Sequence, residues 1–263
     1  MRVLPKKSLG QNFLVDEKIL NIITELGEIN HDSRVLEVGA GTGNLTTKIL
    51  QKEPEQLTVI EKDKKLIEVL QNKFNKKINI INDDILNYPS IGFGTKPIII
   101  YGNLPYNIST QILINWIRLS NLKNYCSRFI LLFQKEVADR IVAVENSNKY
   151  GRLSILSSWK LNVKKIVDIN PNSFQPIPKV KSSLLVFEPK LKYHNLINPR
   201  NLEHVTNIFF NQRRKMIKKP LKILFRNFEQ VATSLSLDLK LRPQNINNST
   251  YYKICSIYEN SIK

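Results

Sequence analysis

The stretch Arg34-Val35-Leu36-Glu37-Val38-Gly39-Ala40-Gly41-Thr42-Gly43 decides the fold. Arg34–Glu37 is too short and too continuously apolar for an amphipathic helix, and it reads as a buried parallel strand. Gly39, Gly41 and Gly43 follow at once. They permit a tight turn whose backbone N–H groups approach a ligand closely, just before a helix opens. A dinucleotide-binding fingerprint has its glycines at the first, third and sixth positions. Here the third glycine stands at the fifth position and an acid precedes the first. That spacing suits an amino-acid-bearing nucleoside without a pyrophosphate, with Glu37 or its neighbourhood facing the ligand's ammonium group.

Working outward, Leu57–Glu61, Ile78–Asn82, Pro97–Tyr101 and Phe129–Phe133 read as further buried strands. Leu45–Lys52 and Lys64–Asn75, between them, carry apolar residues at helical spacing. The alternation predicts an α/β fold, a doubly wound Rossmann-like sheet with helices on both faces. After Gly151, the segments Leu153–Trp159, Lys164–Ile169 and Ser182–Phe187 look like antiparallel strands closing the sheet. Pro189 through Pro199 reads as a linker, followed by candidate helices at Leu202–Phe210, Met216–Phe228 and Tyr251–Ile257. The expected division is a large domain over residues 1–190 and a small basic helical one over 191–263. Pro220 interrupts the basic helix.

The second strand ends in Glu61, 22 residues beyond Gly39. An acid there accepts hydrogen bonds from both hydroxyls of a ribose and repels a 2′-phosphate. The third strand ends in Asp83-Asp84-Ile85, where a carboxylate can accept from an adenine amine. Three acids at consecutive strand ends, converging on a glycine turn, point to S-adenosylmethionine. A nicotinamide cofactor is the alternative on these features alone.

The fourth strand runs into Asn103-Leu104-Pro105-Tyr106. Adenine's exocyclic amine is a poor nucleophile because its lone pair is delocalised into the ring. Drawing that nitrogen toward tetrahedral geometry takes two acceptors, which the Asn103 side-chain oxygen and the backbone carbonyl of Leu104 or Pro105 can supply. Pro105 fixes the backbone and Tyr106 offers a stacking face for the base. A strong general base is unnecessary, since the proton on a quaternised nitrogen is acidic. The competing reading is a Pro-Tyr turn with Asn103 capping a helix. Phe174, in Phe174-Gln175-Pro176-Ile177-Pro178-Lys179-Val180, is the candidate for the opposite face of the base. Its alternative is a loop aromatic tucked against the core.

The net charge of +18 favours a polyanionic partner, although 29 of the 40 basic residues are Lys, as an AT-rich genome imposes on any protein. The last 74 residues hold 14 Lys/Arg against 4 Asp/Glu. Between Phe209 and Phe228 stand Arg213, Arg214, Lys215, Lys218, Lys219, Lys222 and Arg226 with no acid, a cluster expected to hold RNA phosphates. Cys126, Cys255 and the three histidines show no ligand spacing, so no metal is expected. Neither a secretory signal nor an apolar run of spanning length is present, which predicts a cytoplasmic protein that avoids membranes.

Six pieces in order, Leu9-Gly10-Gln11-Asn12-Phe13-Leu14, Glu37–Gly43, Glu61, Asp84, Asn103–Tyr106 and Phe174–Val180, resemble the bacterial small-subunit rRNA adenine dimethyltransferase family. The resemblance spans essentially the whole chain. It implies a class I S-adenosylmethionine-dependent methyltransferase sheet with a C-terminal RNA-binding domain. It further implies that Gln11–Leu14 folds over the cofactor, so that Asn12 and Leu14 join Gly39, Glu61, Asp84 and Asn103 in binding it. The implied substrate is the last hairpin of 16S rRNA in a pre-formed small ribosomal subunit, where two adjacent adenosines receive four methyl groups late in assembly. A monomer is expected. Large-subunit (23S) rRNA adenine methylases share Asn-Leu-Pro-Tyr, but Gln134–Arg140 and Phe210–Lys215 resemble the small-subunit type. A DNA adenine methylase and a non-catalytic ribosome assembly factor compete with the same residues.

Overall fold

A computed structural model describes Pro5, residues 10–87 and residues 96–262. Leu9 of the opening motif lies outside the described residues. In chain order the elements begin β1 (Phe13–Leu14), α1 (Glu17–Glu25), β2 (Arg34–Val38), α2 (Asn44–Leu50), β3 (Gln56–Glu61), α3 (Lys64–Phe74) and β4 (Asn79–Asn82). They continue with β5 (Ile98–Gly102), α4 (Ser109–Ile117), α5 (Leu122–Tyr125), β6 (Cys126–Gln134), α6 (Lys135–Ile141), α7 (Arg152–Lys160), β7 (Leu161–Ile169), β8 (Phe174–Gln175) and β9 (Ser182–Pro189). The last are α8 (Pro199–Phe210), α9 (Lys218–Leu224), α10 (Phe228–Ser234) and α11 (Asn248–Ser261).

The expected parallel strands pair in the order β4-β3-β2-β5-β6, and β9 and β7 complete a seven-stranded sheet. From β4 to β6 every pairing is parallel, while β9 runs antiparallel to β6. The strands are apolar because helices cover both faces: β5 (IIIYG) is buried throughout. The chain leaves β2 for β3 on one side and later returns to β5 on the other. The C-terminal end of β2 is therefore a topological switch point, where open α/β sheets form their crevice. Gly39–Gly43 lies at that point.

The chain divides into two compact units, one of residues up to Ala138 with Asn162–Pro189, the other of Asp139–Leu161 with residues from Lys190 onward. The sequence pattern assigned residues 139–161 to the larger domain; they cluster with the smaller. One strand expectation is corrected there, because Leu153–Trp159 forms most of the helix α7. Ser154, Ile155, Leu156, Ser157, Trp159 and Lys160 are all buried, so α7 has no polar stripe and its sequence lacks helical period. Its serines satisfy themselves locally, Ser157 Oγ donating to Leu153 O at 2.7 Å and Ser158 Oγ to Ser154 O at 2.7 Å.

The second unit also corrects the single basic helix Met216–Phe228. It is two helices, α9 and α10, separated by extended backbone at Phe225. Pro220 does not interrupt a helix: it occupies the first turn of α9, where the N–H it lacks would have had no intrahelical partner. The linker beyond Pro189 is fastened within this unit. Buried Glu259 of α11 accepts from Ile197 N and Asn198 N, both at 2.8 Å.

Candidate active site

Backbone conformation makes the turn after β2. Gly39, Gly41 and Gly43 have φ of +73°, +58° and +77°, in the left-handed region that side chains disfavour. Space forbids a side chain as well. A Cβ on Gly41 would lie 2.6 Å from the Phe13 ring, and one on Gly43 would lie 2.5 Å from the Phe74 ring. The turn thus lets β1 close over it. Asn44 Nδ2 fastens the contact by donating to Leu14 O at 2.8 Å.

Glu61, at the end of β3, is 8% exposed and faces this turn. One carboxylate oxygen accepts from Gly41 N at 3.2 Å, the other from Lys62 N and Asp63 N, both at 2.9 Å. Burial raises its pKa against the pull of those three N–H groups. At the end of β4, Asp84 pairs with Lys62 Nζ at 2.8 Å and accepts from Leu86 N at 3.0 Å. Desolvation alone would raise the Asp84 pKa, but the lysine and the backbone N–H outweigh it and hold the carboxyl low.

Asn103 follows β5, and its Nδ2 donates to Asn12 O at 2.7 Å. A carbonyl can only accept, so the contact fixes which way round the amide lies. Oδ1 is left as the acceptor on the other side. Next, Pro105 O accepts from Ile108 N (3.1 Å) and Ser109 N (3.0 Å), and Tyr106 O from Ser109 Oγ (3.2 Å), capping α4. The Leu104 carbonyl takes no part in this capping. The sequence left Leu104 and Pro105 equal as backbone acceptors; the geometry favours Leu104.

These pieces enclose a cavity of about 330 Å³. Asn12, Gly39, Gly41, Glu61 and Asp84 line it together with Asn103, Leu104, Pro105 and Tyr106. Four of the expected site residues do not. Leu14 and Glu37 line a smaller cavity of about 30 Å³ that shares Gly39 and Gly41 with the large one, room for about two waters at most. Gly43 serves as the N-cap of α2. Phe174 is 2% exposed, paired through β8 with Leu14 of β1, and part of the hydrophobic core. The reading of Phe174 as a stacking face is therefore corrected to its alternative, an aromatic tucked against the core. Proline spacing identified a stiff segment, but it could not say which way the ring points.

Glu37 is corrected similarly. Its carboxylate is 2% exposed and accepts from Thr46 Oγ1 at 2.6 Å, so it is turned into α2 and away from the large cavity. Burial pushes its pKa up to about 7, with the charge of Glu61 adding to the effect.

Two lining residues were not among the expected site residues, although Gln11 stands in the opening motif. Gln11 Nε2 donates to Asp63 Oδ2 at 3.0 Å, tying the N-terminal segment to the far wall. Lys62 was legible in principle: it directly follows Glu61, and the β3–β4 register opposes Glu61 to Asn82, which brings Lys62 toward Asp84.

In the second unit, Arg214, Lys215, Lys218, Lys219, Lys222 and Arg226 are exposed. Arg213 is not free in the same way. Its Nε donates to Gln244 Oε1 at 3.2 Å and its terminal nitrogen to the carbonyls of Ser147 and Asn148. Among the described residues, no group of three or more His, Cys, Asp or Glu side chains is placed to hold a metal. No helix among them is long and apolar enough to cross a membrane.

Comparison with known proteins bears on the family and the fold. The sequence model of the family described as "Ribosomal RNA adenine dimethylase" matches residues 4–263. A protein of Pelagibacter ubique (strain HTCC1062) named "Ribosomal RNA small subunit methyltransferase A" is 52% identical over 259 residues, covering 98% of each chain. One of the same name from Ehrlichia canis (strain Jake) is 38% identical, covering 97% of each. Among solved structures, a dimethyladenosine transferase from Plasmodium falciparum superposes with a TM-score of 0.72 at 24% identity, covering 92% of this chain and 95% of that one. The 23S rRNA methyltransferase ErmE gives 0.69 at 21% identity, covering 94% and 99%. Both structural likenesses speak to the fold alone.

Proposed function

The chain belongs to the ribosomal RNA adenine dimethylase family, and from that premise we propose that it methylates the exocyclic amine of adenosines in small-subunit rRNA, with S-adenosylmethionine as donor. The observation that carries the chemistry is the Asn103 amide, oriented by its bond to Asn12 O at 2.7 Å so that Oδ1 is an acceptor beside the cavity. Support for the small subunit comes from the names of the relatives at 52% and 38% identity.

The cavity fits the donor's chemistry. Glu61 offers lone pairs for a ribose diol, Asp84 for an adenine amine, and the glycine turn a cradle that a Cβ at Gly41 would fill. When bound, S-adenosylmethionine supplies an electrophilic methyl group. The protein's own contribution is alignment. Asn103 Oδ1 and the Leu104 carbonyl would each accept one N–H of the target amine, drawing its lone pair out of conjugation so that the new N–C bond can form as the donor's S–C bond breaks and its sulfur leaves as a neutral thioether. Tyr106 offers a face on which the base stacks. The nitrogen then sheds a proton to solvent, and a second round is open to it because one N–H remains.

In the same proposal, Arg214, Lys215, Lys218, Lys219, Lys222 and Arg226 contact rRNA phosphates, and the protein works in the cytoplasm on assembling small subunits. The test is to offer methyl-labelled donor with undermethylated small subunits and, separately, large subunits. Label is expected in the small-subunit rRNA. Label confined to the large subunit would overturn the assignment.

A further inference from the structure

The Tyr106 ring that lines the cavity is tethered at its far end. Its hydroxyl lies 2.6 Å from Ser182 Oγ, and Ser182 is fully buried at the start of β9. A tyrosine hydroxyl turned toward the protein interior needs a partner, and here that partner is a buried side chain on the sheet.

The position of Ser182 is itself over-determined. It stands opposite Gln134 in the β6–β9 ladder, and Lys135 N donates to the carbonyl of its neighbour Lys181 at 2.9 Å. Side chains alternate along a strand, so Ser183 leaves β9 on the opposite face. There its Oγ donates to Asp168 Oδ1 at 2.6 Å, and Lys135 and Lys165 pair with the same carboxylate at 2.7 and 2.6 Å. With both faces bonded, this end of β9 resists rolling. At the other end of Tyr106, the backbone carbonyl is held by Ser109 Oγ at 3.2 Å. The ring is thus attached at two points, its main chain and its hydroxyl, which fixes the direction of its long axis and so where it stands beside the cavity.

We infer that Ser182 is a positioning residue for the target adenine, its hydroxyl holding in place the Tyr106 ring against which the base stacks. The inference rests on the methyl-transfer reading above. It makes Ser182 act through Tyr106, so the two side chains form one unit.

The test compares Ser182→Ala, Tyr106→Phe and the double variant, with methyl-labelled S-adenosylmethionine and undermethylated small subunits. Each single variant is expected to lower kcat about fivefold to tenfold, the size of one lost hydrogen bond, with the KM for the donor within about twofold of wild type. The double variant should be no slower than the slower single one. Losses that multiply in the double variant, or a wild-type kcat in Ser182→Ala, would overturn the inference. Ring-¹³C tyrosine spectra give a readout free of substrate. The Tyr106 signal, assigned by its disappearance in Tyr106→Phe, should shift and sharpen in Ser182→Ala as the ring gains freedom. If wild type transfers no methyl to small subunits, the functional reading falls, yet the spectra still decide about Ser182: an unchanged Tyr106 signal refutes the tether. Should Ser182→Ala fail to fold, Ser182→Cys keeps the volume, weakens the hydrogen bond and takes its place.

Discussion

Replacing Asn103 with Ala removes two interactions of different kinds, and their sizes separate cleanly. The first is Nδ2 to Asn12 O at 2.7 Å, a neutral hydrogen bond that holds the N-terminal segment against the cavity. Losing it costs about 1 kcal/mol, equivalent to about fivefold weaker donor binding. The second is the Oδ1 acceptor, which on the proposed mechanism strengthens as the amine becomes tetrahedral. Loss of one such preorganised group slows the chemical step about 10²- to 10³-fold, or about 3–4 kcal/mol. A Cβ on Gly39 would meet the backbone oxygen of Asn103 at 3.7 Å and no atom of its side chain, so the turn itself should survive. Calorimetric binding of S-adenosylmethionine measures the first loss, and single-turnover methyl transfer at saturating donor measures the second. Asn103→Asp keeps an acceptor while setting a carboxylate oxygen against Asn12 O, and should lose more in binding than Asn103→Ala. A single-turnover rate for Asn103→Ala within about threefold of wild type would refute the alignment argument.

Three further expectations follow from the same geometry. Gly41→Ala places a Cβ against the Phe13 ring at a φ of +58°; it should cost about 1–3 kcal/mol in chemical denaturation and weaken donor binding more than Thr42→Ala does. Glu37 has its folded pKa raised from 4.5 to about 7, so the folded state holds a proton that the unfolded state releases. Stability from this group is therefore full below about pH 4.5 and is lost as pH rises through 7, by up to about 3 kcal/mol; Glu37→Gln should flatten that part of the pH–stability curve, and an unchanged curve would contradict the burial argument. In the basic cluster, Lys219→Ala should reduce the salt slope of rRNA binding by about one without loss of stability, whereas Arg213→Ala should lower the melting temperature because its guanidinium holds Gln244 and the Ser147–Asn148 backbone.

Most of the sheet was legible because buried parallel strands are short, apolar and bounded by glycine or acid, as in Arg34–Gly43. The cavity walls were legible for a related reason: strand ends at a switch point converge, so residues placed there by spacing must meet. Side-chain direction was not legible. Glu37 and Glu61 both stand at strand ends, yet one turns to Thr46 inside α2 and the other to Gly41 beside the cavity. Phe174 was misread because its burial depends on pairing with β1, 160 positions away at Leu14. Helix α7 hid itself by being buried on most sides, which erased its period. The Ser182–Tyr106 bond joins residues 76 positions apart, and no local pattern announces it.

The central claim is that Asn103 and Leu104 present the exocyclic amine of an adenine, and no other atom, to the donor's methyl group. It is tested most directly by digesting small-subunit rRNA after complete reaction and resolving its methylated nucleosides by mass spectrometry. The account predicts N6,N6-dimethyladenosine, with N6-methyladenosine as its transient precursor. Methyl groups at adenine N1, or on a base other than adenine, would contradict it.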